Sequence, residues 1–433
     1  MLLSVIIGGI TCLFMIAGVL FFPVIKIKNL KIDSYWVIAS VGALILIISG
    51  GIDLRFLGAE LVKNSSVNPL KILTLFISMT LISLFLDEVG FFRFLACKTL
   101  KLANNSQLKL FVGLYLTVSF LTVFTSNDII ILTFTPFICY FSKNAKINPI
   151  PYLVTEFVAA NTMSMTLIIG NPTNIYIATA HGVNFLEYFK VMLLPTVASA
   201  VVSFIVLYLV FGRELKKPAA GTEHTENITD KTLFAIGISI LAVCTVLLAI
   251  GSYIGLEMWI VSLVAALSLF VSAFTVCAVK RKKPSECGRC LARAPWQLIP
   301  FVLSMFTIVL ALKSCGLTEK ISEFLGGDLT VFKYGALSFL SANVINNIPM
   351  SVLFCSIIEQ LSGAARTGAV YAAIVGSNLG AILTPIGALA GIMWSALLKK
   401  HEVKFSYLQF IKYGIIVSVP SLVASLAVLS LLV

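Results

Sequence analysis

Two short polar clusters interrupt apolar stretches of this chain. The first, Thr125-Ser126-Asn127-Asp128, lies inside the run from Leu110 to Tyr140. The second, Asn343 with Asn346-Asn347, lies between Val331 and Ser356. Asn, Ser and Thr offer donors and acceptors without charge. Asp128 is the one acid among them, and because burial favours a neutral carboxyl it is the candidate proton carrier. Two further apolar segments are broken, at Gly170-Asn171-Pro172-Thr173-Asn174 and between Gly376 and Gly387. Gly permits unusual backbone angles and Pro removes a helix bond, so carbonyls freed there suit a cation or a hydroxyl-bearing solute. Asn161 precedes the first break by about three turns and corresponds to Asn378 in the second. The candidate substrate- and ion-binding residues are Thr125, Ser126, Asn127, Asp128, Asn161, Gly170, Asn171, Thr173, Asn343, Asn346, Asn347, Ser377, Asn378 and Thr384. The plainer alternative is clusters that only satisfy their own backbone. Matched placement in two halves favours binding.

The clusters recur because the chain repeats. At an offset of 219 residues, Ser119-Phe120-Leu121 falls on Ser338-Phe339-Leu340, Asn127 on Asn346 and Asp128 on Asn347. Trp36 meets Trp259 at 223, Pro69 and Gly90 meet Pro295 and Gly316 at 226, and Asn161 and Gly170 meet Asn378 and Gly387 at 217. Register held over a whole half means internal duplication.

Composition names the solvent. The 433 residues are 59% hydrophobic and 12% charged, where a soluble domain carries roughly 25% charge. With a mean hydropathy of +1.03 and recurrent apolar runs, this is a polytopic membrane protein. The run from Leu2 to Phe22 has no basic start and no cleavage pattern, so it reads as a spanning helix rather than a removable signal.

The loops set orientation. After the first helix come Lys26, Lys28 and Lys31, while the matching loop Gly251–Glu257 has no basic residue. After the second come only Arg55 and Lys63, while its match holds Lys280, Arg281, Lys282, Lys283, Arg289 and Arg293. Basic loops face the cytoplasm, so matching loops lie on opposite sides and the repeats are inverted. The expectation is an all-α membrane protein in a prokaryotic plasma membrane. It is an inverted repeat of two halves, each five transmembrane helices plus one re-entrant hairpin, with broken helices at the midplane. Residues 1–212 and 232–433 form the halves and 213–231 a cytoplasmic linker, with both termini outside. Each half would rock or slide for alternating access.

Other residues carry less. Cys287-Gly-Arg-Cys290 is a lone C-x-x-C in a loop, either a metalloid trap or an incidental pair. The remaining seven cysteines read as small buried side chains. Glu156 either snorkels or joins a proton path. Asp87, Glu88 and Lys313 read as solvated helix ends, and Glu359 and Arg366 as loop residues. His181, His224 and His401 fall in loops, so neither a metal site nor a cofactor is expected. There is no P-loop, no nucleophile–base pair and no basic tract for nucleic acid.

One set of stretches is distinctive. It comprises Ile82-Ser83-Leu84-Phe85-Leu86-Asp87-Glu88-Val89-Gly90-Phe91-Phe92, Asn127-Asp128, Ala294-Pro295-Trp296-Gln297, Gly316-Leu317-Thr318-Glu319 and Asn346-Asn347-Ile348-Pro349. It ends with Asn378-Leu379-Gly380 through Thr384-Pro385-Ile386-Gly387 to Trp394. Together they resemble the arsenical pump membrane protein family, within the ion transporter superfamily that includes sodium-coupled dicarboxylate and citrate carriers. The resemblance runs over nearly the full chain. It implies efflux of arsenite or antimonite coupled to proton entry, and leaves room for a soluble ATPase partner. Arsenite is mainly a neutral trihydroxide at neutral pH, which suits uncharged Asn, Ser and Thr. The alternative is a sodium-coupled di- or tricarboxylate carrier or a sodium/proton antiporter, with Asn127, Asn171, Asn346 and Asn378 holding sodium. Few basic residues within the membrane weighs against di-anions.

Overall fold

The computed structural model describes residues 2–22, 24–27, 30–63, 68–103, 106–216 and 230–433. Apolar runs become helices, and polar residues at their starts cap them. The first half contains α1 (Leu2–Phe21), an antiparallel ribbon of β1 (Val24–Ile27) and β2 (Leu30–Asp33), α2 (Ser34–Ile48), α3 (Leu54–Val62) and α4 (Pro69–Glu88). It continues with α5 (Phe91–Ala103), α6 (Gln107–Phe124), α7 (Asn127–Ala145), α8 (Ile150–Met163), α9 (Pro172–Ala180) and α10 (Phe185–Leu215). The second half repeats the helices in order: α11 (Lys231–Gly251), α12 (Met258–Val279), α13 (Ser285–Arg293), α14 (Leu298–Ser314) and α15 (Leu317–Leu325). Then follow α16 (Thr330–Ile345), α17 (Asn347–Ile358), α18 (Gly363–Gly380), α19 (Leu389–Lys400) and α20 (Tyr407–Leu429). Asn68 caps α4 by accepting from the amides of Leu70 and Lys71, with Pro69 at the first helical position. Ser406 and Gln409 close a capping box on α20.

Apart from the β1–β2 ribbon the described residues form a helical membrane protein with two hairpins, α6–α7 and α16–α17, and two broken helices, α8–α9 and α18–α19. Seven described helical stretches are by themselves long and apolar enough to cross a bilayer. Several sequence expectations need correction. Cys287 and Cys290 lie on a helix, α13, and both are buried. Arg366 is not in a loop but in the first turn of α18. Asp87 is 2% exposed rather than solvated. Arg293 from α13 reaches it at 2.7 Å and also pairs with Glu88, which Arg289 contacts at 2.5 Å. Burial of those carboxylates is tolerated because each has a cation. His224 and residues 217–229 of the expected linker lie outside the described residues.

Packing does not divide at that linker. The helices α1, α2 and α4 pack with α11, α12 and α14, and α14 lies against α2. The helices α6–α10 pack with α16–α20: α10 lies along α20, α7 meets α19, and α9 meets α17. Two bodies result, each drawing corresponding helices from both halves. Any sliding surface therefore separates these bodies and not the halves.

The closest approach within the second body is α16 against α18. A Cβ added at Gly376 would sit 1.9 Å from Ser338 Oγ and 2.3 Å from the Gly335 carbonyl. Overpacking there costs about 1–3 kcal/mol. Gly376→Val should lower the melting temperature of the purified protein and its monodisperse yield, whereas Gly288→Ala, with no atom within 4 Å of the new methyl, should leave both unchanged.

Candidate functional site

The first hairpin turns where α6 stops at Phe124 and Ser126 caps α7 by accepting from the Asp128 amide. Thr125 spends its hydroxyl on the Leu121 carbonyl at 2.8 Å. The first broken helix stops two residues after Asn161, so the interruption begins at Ser164, earlier than the glycine and proline suggested. It resumes at Pro172, with Asn171 as N-cap. Gly170 lies so close to the Ser164 carbonyl that a Cβ would be 2.1 Å away, which only glycine avoids. The second broken helix likewise stops two residues after Asn378.

The two breaks face each other through side-chain amides. Asn378 Oδ1 accepts from Ser164 Oγ at 2.8 Å and from Asn171 Nδ2 at 3.0 Å. Its Nδ2 donates to Asn174 Oδ1 at 2.7 Å and to the Ile374 carbonyl at 2.8 Å. Ser377 donates to Thr173 at 3.0 Å. Asn174 Nδ2 in turn satisfies the freed Ser164 carbonyl at 2.8 Å. All these residues are buried, so each bond exists in low dielectric and matters more than in water.

The hairpins attach differently. Asn161 Nδ2 donates to the Phe157 carbonyl at 2.8 Å, which turns its Oδ1 outward, and Asn127 Nδ2 donates to that oxygen at 3.0 Å. This orientation leaves Asn127 Oδ1 buried with no partner among the described residues. The second hairpin is stitched to its own break. Asn343 accepts from Thr384 at 2.7 Å and donates to the Gly380 carbonyl at 3.0 Å, Asn346 donates to the Ile386 carbonyl at 2.9 Å, and the Asn347 amide donates to the Gly387 carbonyl at 3.0 Å. Asn346 has φ +70°, a conformation that Asn tolerates better than most residues.

Ser126 and half-buried Asp128 line a cavity of about 740 Å³. Tyr35, Pro385 and Ile386 line it with them, and Arg293, Lys399 and Lys404 line it toward the basic loops. Tyr35 and Ile386 also border a small recess that contains Asn346, so both hairpin tips flank the same region. Glu156 does not snorkel. It is fully buried, and Thr135 Oγ1 lies 2.9 and 3.0 Å from its two oxygens.

Sequence reasoning missed Ser164, Asn174 and Tyr35. The position matching Ser164 at the 217 offset is Ala381, so the repeat carries no hydroxyl to flag it. Asn174 carried a readable signal, its place in the Gly170–Asn174 break, while Tyr35 opens an ordinary apolar helix.

The comparisons with known proteins agree with this architecture. The family described as "Citrate transporter" matches residues 3–373. The arsenical pump membrane protein of Escherichia coli K12 is 30% identical over 379 residues, covering 82% of this chain and 85% of that protein. A second Escherichia coli arsenical pump membrane protein is 28% identical and covers 91% and 92% of the two chains. The crystal structure of the Alcanivorax borkumensis YdaH transporter, described as having an unusual topology, superposes with a TM-score of 0.58 at 15% identity over 99% of this chain and 98% of that one. That likeness bears on the fold alone. This multi-pass plasma-membrane transporter belongs to the citrate-transporter family, and within it to the arsenical pump membrane proteins.

Proposed function

We propose that the protein exports arsenite and antimonite as neutral hydroxides in exchange for protons. The observation that carries this reading is the buried, unpartnered acceptor Asn127 Oδ1, one residue before Asp128, which lines the cavity. An uncharged acceptor left unpaired suits a ligand that donates O–H groups. The names of the relatives supply the metalloid. In this scheme ionised Asp128 accepts from a hydroxyl of the substrate on the cytoplasmic side. On the far side an incoming proton takes that lone pair, the solute leaves, and the neutralised notch returns to release the proton into the cytoplasm, which leaves Asp128 ionised again. Proton and solute compete for one oxygen, which makes the exchange obligatory. The bonded pairs Asn171–Asn378 and Asn127–Asn161 hold the notch in shape.

A second reading is a sodium-coupled carboxylate carrier, favoured by the family description and by the suitability of Asn127 Oδ1 as a sodium ligand. One preparation separates the two. Proteoliposomes should accumulate arsenite in response to a pH gradient and show no sodium-stimulated citrate or succinate uptake; the reverse result would establish the carrier instead.

A hydrogen bond to a charged acceptor is worth about 1.5–3 kcal/mol, or about 10- to 150-fold in affinity. Asp128→Asn should therefore abolish pH-gradient-driven arsenite uptake by everted vesicles, and near-normal uptake would remove Asp128 from the proton role. Asn127→Leu should raise the KM for arsenite by about tenfold, measured on the same vesicles, with the protein still folded.

A further inference from the structure

The helix α14 starts beside the Arg293 end of the molecule and carries Lys313 in its last turn. At that opposite end a second cavity, of about 360 Å³, lies between the two bodies. Lys313 lines it from one body and Tyr176, His181, Glu359 and Arg366 from the other, with the Glu60–Lys63 ion pair at the end of α3 completing the wall. None of these residues takes part in the network around Asn378.

Hydrogen-bond logic fixes the polarity of this cavity. Arg366 Nη2 lies 3.2 Å from His181 Nδ1. A guanidinium only donates, so Nδ1 accepts and the imidazole proton sits on Nε2. That Nε2–H is buried and has no partner among the described residues. Burial and the Arg366 charge push His181 down to about 4, against a smaller upward pull from Glu359, so the ring stays neutral and its donor stays in place at neutral pH. Tyr176 is 3% exposed, and its hydroxyl also lacks a partner among the described residues. Arg366 is half-buried and makes no ion pair among the described residues, because Glu359 is engaged by Lys313. A buried donor left unmade costs about 1–3 kcal/mol, and native interiors rarely keep two together without a ligand or water to fill them. Lys63 and Lys313 are paired with Glu60 and Glu359, so the cation-repelling charge left in the wall is the Arg366 guanidinium. An apolar filler would leave both donors unmade.

We propose that this cavity binds a small oxyanion, of phosphate or carboxylate type, held by the Arg366 guanidinium with the Tyr176 O–H and the His181 Nε2–H. The assignment does not depend on which solute the protein transports. Because the lining comes from both bodies, an occupant ties them together at this mouth and keeps it closed.

The test uses the full-length protein in lipid nanodiscs at constant ionic strength. Thermal unfolding is followed against inorganic phosphate, acetate and chloride. Phosphate or acetate should raise the melting temperature along a saturable curve, with chloride inert; whichever oxyanion saturates at lower concentration identifies the source. Arg366→Gln should shift half-saturation upward by about tenfold or more, and Tyr176→Phe by about fivefold. Should Arg366→Gln not fold, Tyr176→Phe decides alone. Asn127→Leu should leave the curve unchanged. Equal stabilisation by chloride, unchanged curves in the folded cavity variants, or loss of the effect in Asn127→Leu would each overturn the proposal.

Discussion

A helix that breaks inside lipid exposes backbone groups that no water can satisfy, and this constraint organises the molecule. Asn378 answers it with its full hydrogen-bonding capacity, two acceptor lone pairs and two amide protons, all used. Three of its four partners belong to the other half of the chain. The rest follows from bringing that amide within reach. The backbones of α16 and α18 approach so closely that Gly376 has no room for a side chain. Asn174 covers carbonyls that the break releases. Asn161, the counterpart of Asn378, makes the same bond to the carbonyl four residues back, but spends its oxygen on the first hairpin instead. The departure from symmetry at this one position leaves Asn127 with its free acceptor.

Much of this was legible in the sequence because duplication writes the same word twice. Asn161 and Asn378, Gly170 and Gly387, and the two hairpin tips were all found by register alone. Three things were not. Ser164 has an alanine counterpart, so a repeat argument could not see it. The pairing of Glu88 with Arg289 spans 201 residues, and no local pattern announces a partner that distant. The packing of each body from both halves is a tertiary fact: the linear repeat defines halves, but apolar faces chose partners across the linker.

Beyond apolar packing of α14 on α17 and of α4 on α7 and α9, the polar ties between the bodies are few among the described residues. At the cytoplasmic side expected from the basic loops, Asp87 accepts from Thr133 of α7 at 2.8 Å while also holding Arg293. A hydrogen bond to a carboxylate is worth about 1.5–3 kcal/mol. At the opposite side Lys313 and Glu359 form an ion pair with both side chains at least a third exposed, and exposed pairs contribute about 0–1 kcal/mol. By contrast, the bonds inside the second body are buried and numerous. A body bonded within itself and joined to its neighbour mainly by apolar packing would suit the alternating exposure of one notch proposed above.

The sharing of each body between halves also has a bearing on biogenesis. Synthesis delivers Ser164, Asn171 and Asn174 to the bilayer about two hundred residues before Asn378 exists. Through that interval the first half carries an open polar seam with no permanent mate, so its early stay in the membrane depends on insertion machinery or water shielding the seam until translation supplies the missing amide.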